Sequence, residues 1–132
     1  MVPVSNDVSA KTNRLWEIAC HASALSLFVG IPCGNILGPL LVWLFKKGES
    51  GAIDEHGKEA LNFQLSLSLY LLVLMVATGS LMIILIGFLL LPLLIAACII
   101  GPLVDLIFII IASVKASNGE LYRYPCTIRF IK

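Results

Sequence analysis

The sequence predicts an all-α integral membrane protein, a compact bundle of about four hydrophobic helical segments whose first two form a broken or re-entrant hairpin. Three observations carry that expectation: composition, the placement of charge, and the placement of helix breakers. The 132 residues are 59% hydrophobic and 13% charged, with a mean hydropathy of +1.00. Soluble domains average roughly 45–50% apolar and about 25% charged residues. Residues 15–45 hold one formal charge, Glu17, and residues 60–114 hold one, Asp105. Such a pattern excludes a soluble globular domain and a disordered chain. The net charge of +1 gives no electrostatic pull toward nucleic acid.

Residues 1–14 are a polar segment containing Lys11 and Arg14. The small-residue pattern Ala22-Ser23-Ala24 falls inside the following apolar run rather than after it, so no cleaved signal peptide is expected. A helix rises about 1.5 Å per residue and the hydrocarbon core is about 30 Å thick, so residues 15–45 are too long for one straight span. The breakers Gly30-Ile31-Pro32-Cys33-Gly34-Asn35 divide them into segments 15–31 and 36–46. The second is short for a crossing, which leaves a tilted short helix and a re-entrant hairpin both open. A polar loop, 46–59, follows, with Asp54 as the expected helix N-cap.

Residues 60–114 must fold back once. The break is placed at 87–92 in preference to Thr78-Gly79-Ser80, because proline suits the first position of a helix. Segments 60–86 and 92–115 result, with a kink at Gly101-Pro102. The transmembrane domain is therefore 15–116, and Asn118-Gly119 ends the last helix ahead of a basic, aromatic tail, 117–132. With four passages or with a re-entrant first hairpin, all nine Lys and Arg fall on one side. The positive-inside rule then puts both termini in the cytoplasm and the protein in the inner membrane.

Glu59, Asn62, Ser66 and Tyr70 recur at three- and four-residue spacing, on one stripe of a helix. At membrane depth such groups face protein rather than lipid, either fastening elements together or lining a polar cavity. Glu17 and His21, four apart, share a face of the first helix. Asp105 lies ten residues before Lys115, and Tyr70 ten residues after Ala60, so the two are expected at one depth, with Asp105 either protonated or hydrogen-bonded to Tyr70, the predicted pair, or to Ser66. Intramembrane acids are functional candidates because burying one is costly. The candidate seam is thus Glu17, His21, Asn62, Ser66, Tyr70 and Asp105, acting as interhelical fastening or as a path for protons or solutes. Lys46, Lys47, His56, Tyr122, Arg123, Tyr124 and Arg129 are candidate contacts to lipid headgroups or partner subunits. The tail itself reads as an anchor on the anionic leaflet or as a strand docked over the end of the bundle. Four cysteines without CxxC spacing, and His and carboxylates without ligand spacing, give no metal site. No catalytic or cofactor motif is present, so neither an enzyme nor a cofactor is expected.

Four stretches taken together carry a family resemblance: Ala19-Cys20-His21; Gly34-Asn35 with Gly38-Pro39-Leu40-Leu41-Val42-Trp43-Leu44 and Lys46-Lys47; Asp54-Glu55-His56-Gly57-Lys58-Glu59-Ala60-Leu61-Asn62-Phe63-Gln64; and Lys115-Ala116 with Asn118-Gly119-Glu120 and Tyr124-Pro125. In order and spacing the chain resembles a family of small bacterial and archaeal membrane proteins similar to the chloroplast inner-envelope import component of the Tic translocon. The resemblance implies a four-helix membrane domain with both termini on one side and no catalytic residues. The expected function is an accessory or assembly subunit of a larger membrane complex, translocation-related by that resemblance, with lipid and other membrane subunits as partners. The alternative is a small homo-oligomeric carrier or channel built around Asp105.

Overall fold

The computed structural model describes residues 4–132. Four helices follow one another: α1 (Val4–Ala22), prolonged by a 3-10 turn (Ser23–Leu27), α2 (Gly34–Lys46), α3 (Gly51–Met82) and α4 (Gly87–Ser117). Residues 118–132 form an irregular tail, and no strand occurs among the described residues. The molecule is an all-helical bundle of the small membrane type.

Helix α1 begins at Val4, inside the expected polar segment, and its 3-10 extension ends at Leu27 rather than at 31; two further boundaries differ for identifiable reasons. Helix α3 begins at Gly51, inside the expected 46–59 loop, because Ser50 and not Asp54 is the N-cap: its hydroxyl accepts from the N–H groups of Ala52 and Ile53. Asp54 is freed to accept from Trp43 Nε1 at 2.8 Å and to pair with Lys58. The α3–α4 turn falls at 83–86, so Pro92 lies inside α4 rather than at its first position. Gly87 sets this turn, since a Cβ there would meet the α3 backbone at Thr78 and Met82. At the far end of α4, Gly119 (φ 79°) closes the helix: its N–H reaches the Ala116 carbonyl and the Glu120 N–H the Lys115 carbonyl. Arg14 adds a hydrogen bond to the Ser117 carbonyl, tying α1 to the negative end of α4.

Among the described helices, α3 and α4 are long and apolar enough to cross a membrane. Helix α2 has 13 residues, about 20 Å, short of a 30 Å core. It packs tightly: a Cβ on Gly38 would strike the Ser23 carbonyl, and one on Gly57 of α3 would strike the Trp43 ring. The buried core lies toward one end of the bundle. On α3 the buried residues run from Ile53 to Ser66, after which only Thr78 follows; on α4 they are Gly87 and then Asp105, Ile109, Ala112 and Ala116.

Candidate functional site

The polar stripe of α3 holds the C-terminal tail. Glu59 accepts from the Tyr124 N–H at 2.7 Å. The tail then runs along α3 as far as Tyr70, whose hydroxyl donates to the Cys126 carbonyl at 2.7 Å. It turns there, Cys126 taking a positive φ of 52°, and comes back: Ser66 Oγ accepts from the Ile128 N–H at 2.8 Å. Asn62 takes both backbone groups of Ile131, donating to its carbonyl at 2.9 Å and accepting from its N–H at 2.8 Å. Arg129 and Arg123 close the loop on Glu59 at 3.1 and 3.5 Å. The physical logic is plain. Irregular backbone lacks the internal partners of a helix, so where it is buried its N–H and carbonyl groups must be satisfied by side chains. The stripe fastens a tail, not a neighbouring helix.

Tyr124 is the tail's anchor. Its ring stacks on Phe63 with centroids 4.2 Å apart, and its hydroxyl lies 2.9 Å from His21 Nδ1. His21 Nε2 lies 2.9 Å from His56 Nδ1, and His56 Nε2 is 3.9 Å from Glu17. With both imidazoles neutral and Glu17 ionised, one assignment satisfies this chain: Tyr124 donates to His21, His21 Nε2–H to His56, and His56 Nε2–H points toward Glu17. The fully buried His21 is pushed down to about 3 from an ordinary 6.5, by burial first and by His56 second. Burial, then the nearby Asp105 and Glu59 carboxylates, pushes the Tyr124 hydroxyl up. Glu17 is also raised by burial, with Arg14 opposing.

A pH dependence follows, with its sign fixed by the lowered His21 value. The unfolded chain binds more protons at this position below about 6.5, so stability is full above that pH and declines as pH falls toward 3, by up to about 1.4 kcal/mol per pH unit. His56 and Tyr124 face His21 directly, Glu17 lies beyond His56, and Asp105 and Glu59 flank Tyr124. The melting temperature in detergent is expected to drop between pH 7.5 and 5.5, and to drop less in His21→Asn. Equal slopes for both proteins would contradict this assignment.

Asp105 is buried but does not meet Tyr70. Gln64 Nε2 donates to Asp105 Oδ1 at 2.7 Å, and Asn35 Nδ2 donates to Gln64 Oε1 at 3.0 Å and to Ser68 Oγ at 3.4 Å. The expected Tyr70–Asp105 pair is therefore replaced by an Asn35–Gln64–Asp105 relay joining α2, α3 and α4. A double-mutant cycle on Gln64 and Asp105 should show coupling of about 1 kcal/mol or more, and one on Tyr70 and Asp105 additivity within about 0.5 kcal/mol.

The expected surface contacts divide. His56 and Tyr124 are buried, at 3% and 4% exposure, and so cannot present themselves to headgroups or partners. Lys46 pairs with Glu49 and lies 4.4 Å over the Trp16 ring, and Lys47 lies 4.4 Å over Trp43. Tyr122 is half-buried against Phe108. Arg123 and Arg129 edge a cavity of about 440 Å³ together with Glu55, Lys58, Glu59 and Asn62. No group of three or more potential metal-ligating side chains occurs among the described residues. Sequence reasoning missed Gln64 and Asn35 as site residues; the signal available was that each is a side-chain amide in a nearly charge-free run.

The fold and this site define a small helical membrane protein whose polar core is completed by its own tail. More particularly, the chain belongs to the magnetosome magnetite crystal formation protein family, MamF/MmsF, whose family model matches residues 12–131. This overturns the resemblance to the chloroplast import component, and translocation falls with it. The stretches that carried that resemblance supply the end of α1, α2, the start of α3 and the end of α4 with the first tail residues, which build the fold, and a fold does not specify a function. No curated protein and no solved structure matches the chain.

Proposed function

We propose that this protein is a non-enzymatic subunit of the magnetosome membrane that supports magnetite crystal formation by organising other membrane components, without itself ligating iron or mineral. One observation carries this reading: the charge lies at one end of the bundle. The C-terminal half of α1, the first turns of α3, the end of α4 and the tail meet there, through Arg14–Ser117, Glu17–His56 and His21–Tyr124. The 28–33 turn, partway along the bundle, and the 83–86 turn at the opposite end contain no Asp, Glu, His, Lys or Arg.

A cytoplasmic charged end is supported by its nine Lys and Arg, through the positive-inside rule. Helices α3 and α4 then cross, α1 and α2 enter and return as a re-entrant hairpin, and both termini are cytoplasmic. The surface turned to the crystal compartment is apolar and offers none of the carboxylate oxygens that hard cations take as ligands. An effect on the crystal has to pass through partners held in the bilayer or at the cytoplasmic rim, where Lys46, Lys47, Tyr122, Arg123 and Arg129 are the candidate contacts to headgroups or subunits. A carrier reading finds less support, since the Asp105 relay ends at Asn35 and Ser68 with apolar side chains beyond.

Mild-detergent purification from magnetosome membranes tests this proposal. A membrane-protein partner is expected in fixed stoichiometry, and deletion of the chain is expected to alter crystal size without lowering cellular iron. A protein that purifies alone and binds magnetite particles or iron directly would contradict it.

A further inference from the structure

The buried part of this molecule occupies only half of a bilayer. Asn35, in the first turn of α2, is fixed at the level of Gln64 and Ser68 of α3 by its two hydrogen bonds. The 28–33 turn lies about one helical turn further. The tail reaches no deeper than Tyr70, to which Cys126 is bonded. From Glu59 to Tyr70 is about 17 Å of helix, and from Tyr70 to Met82 about 18 Å, so together they are long enough to cross a hydrocarbon core of about 30 Å. In the first half α3 and α4 are flanked by α1, α2 and the tail. In the second half they stand alone: Leu72, Val73, Met75 and Val76 on α3 and Leu89 and Leu93 on α4 are all exposed.

A helix with its side chains is about 10–12 Å across, so α1 and α2 add roughly 200 Å² to the cross-section in one leaflet and nothing in the other. The wide half is also stiff. The close Gly38–Ser23 and Gly57–Trp43 approaches and the bonded tail leave it little freedom to flatten. Most exposed side chains of the narrow half are bulky and apolar, which suits lipid, with Gly79, Ser80 and Cys98 the small exceptions; helix–helix contacts in membranes favour small residues.

We propose that the protein senses membrane curvature: as a wedge that is wide at its charged end, it partitions to bilayers that bulge toward the side bearing that end. The lipid on the convex side is splayed, and the wide half fills the extra area. The energetic basis is a difference in insertion free energy between flat and curved membranes, which is the only quantity that can shift such a distribution. In the orientation assigned above, the convex face is the cytoplasmic one. The inference rests on the reading that α3 and α4 cross the membrane, and the test separates the two.

The full-length protein is reconstituted into a mixed population of phospholipid vesicles about 30 to 200 nm in diameter, and protein per lipid is measured vesicle by vesicle. Orientation is read from an impermeant maleimide on Glu49→Cys, with Cys33, Cys98 and Cys126 replaced by serine. Molecules with the charged end outward are expected at no less than about twofold higher density on the smallest vesicles, and inward molecules at lower density there. Densities independent of vesicle size in both orientations would overturn the inference while leaving the crossing intact. A dimer cross-linked through the narrow halves of α3 and α4 would also overturn it, since two such halves together make a cylinder. Protein that fails to float with the vesicles would overturn the crossing and the wedge together.

Discussion

Replacing Glu59 with alanine is expected to release the C-terminal tail from α3. Glu59 is 2% exposed and is the shared acceptor for the Tyr124 N–H, Arg129 and Arg123. Removing it strands the Tyr124 N–H at the membrane boundary and leaves two guanidinium groups without their counter-charge. Arg123 is mostly exposed, so its own ion pair contributes little. The unsatisfied N–H, the Arg129 pair and the loosened Tyr124 ring together should cost about 2–4 kcal/mol. Limited trypsin digestion in detergent reports it directly, because Arg123 and Arg129 are the cleavage sites in the tail. Glu59→Ala and Asn62→Leu should be cut there much faster than the native protein, and Glu59→Gln, which keeps an acceptor oxygen, at an intermediate rate. Unchanged cleavage in Glu59→Ala would mean that the stripe does not hold the tail.

The second large effect is expected at Gly38. A side chain there must displace the Ser23 backbone carbonyl, which cannot swing aside as a side chain could. Gly38→Val should therefore separate α2 from the end of α1, at about 3 kcal/mol or more, within the range of severe overpacking. Loss of cooperative thermal unfolding is the measurement. Gly48→Val, at a position with nothing within 4 Å, is the control and should melt like the native protein.

These positions show where the sequence was informative. The two long apolar helices were legible because hydrophobic length and charge depletion are properties of the chain itself. The three- and four-residue spacing of Glu59, Asn62, Ser66 and Tyr70 was legible too, but not its partner. The stripe binds backbone N–H and carbonyl groups of residues 124–131, and backbone groups carry no sequence signature. The Tyr70–Asp105 expectation failed on two counts. It measured depth from residue 60, whereas Ser50 caps α3 and starts it at Gly51. It also ignored rotation: Gln64 and Tyr70 are six residues apart, about 240° around the helix, so only one of them can face Asp105. The His21–His56–Tyr124 chain unites α1, α3 and the tail across sequence separations of 35 and 103 residues, beyond the reach of local pattern. Family membership was misread because the recognised stretches are those that build the bundle.

The proposed topology gathers the charged groups at one cytoplasmic end of a bundle of which only α3 and α4 cross the bilayer. Cysteine accessibility on intact magnetosomes tests it most directly, in chains whose Cys98 and Cys126 are replaced by serine. Three positions are compared: Glu49→Cys in the α2–α3 connection, Ile84→Cys in the α3–α4 turn, and native Cys33 in the α1–α2 turn, which is replaced by serine in the first two chains. An impermeant maleimide should label position 49 in intact vesicles, position 84 only after they are opened, and Cys33 only after detergent removes the bilayer. Labelling of 49 and 84 from the same side, or of Cys33 once the lumen is opened, would contradict the account.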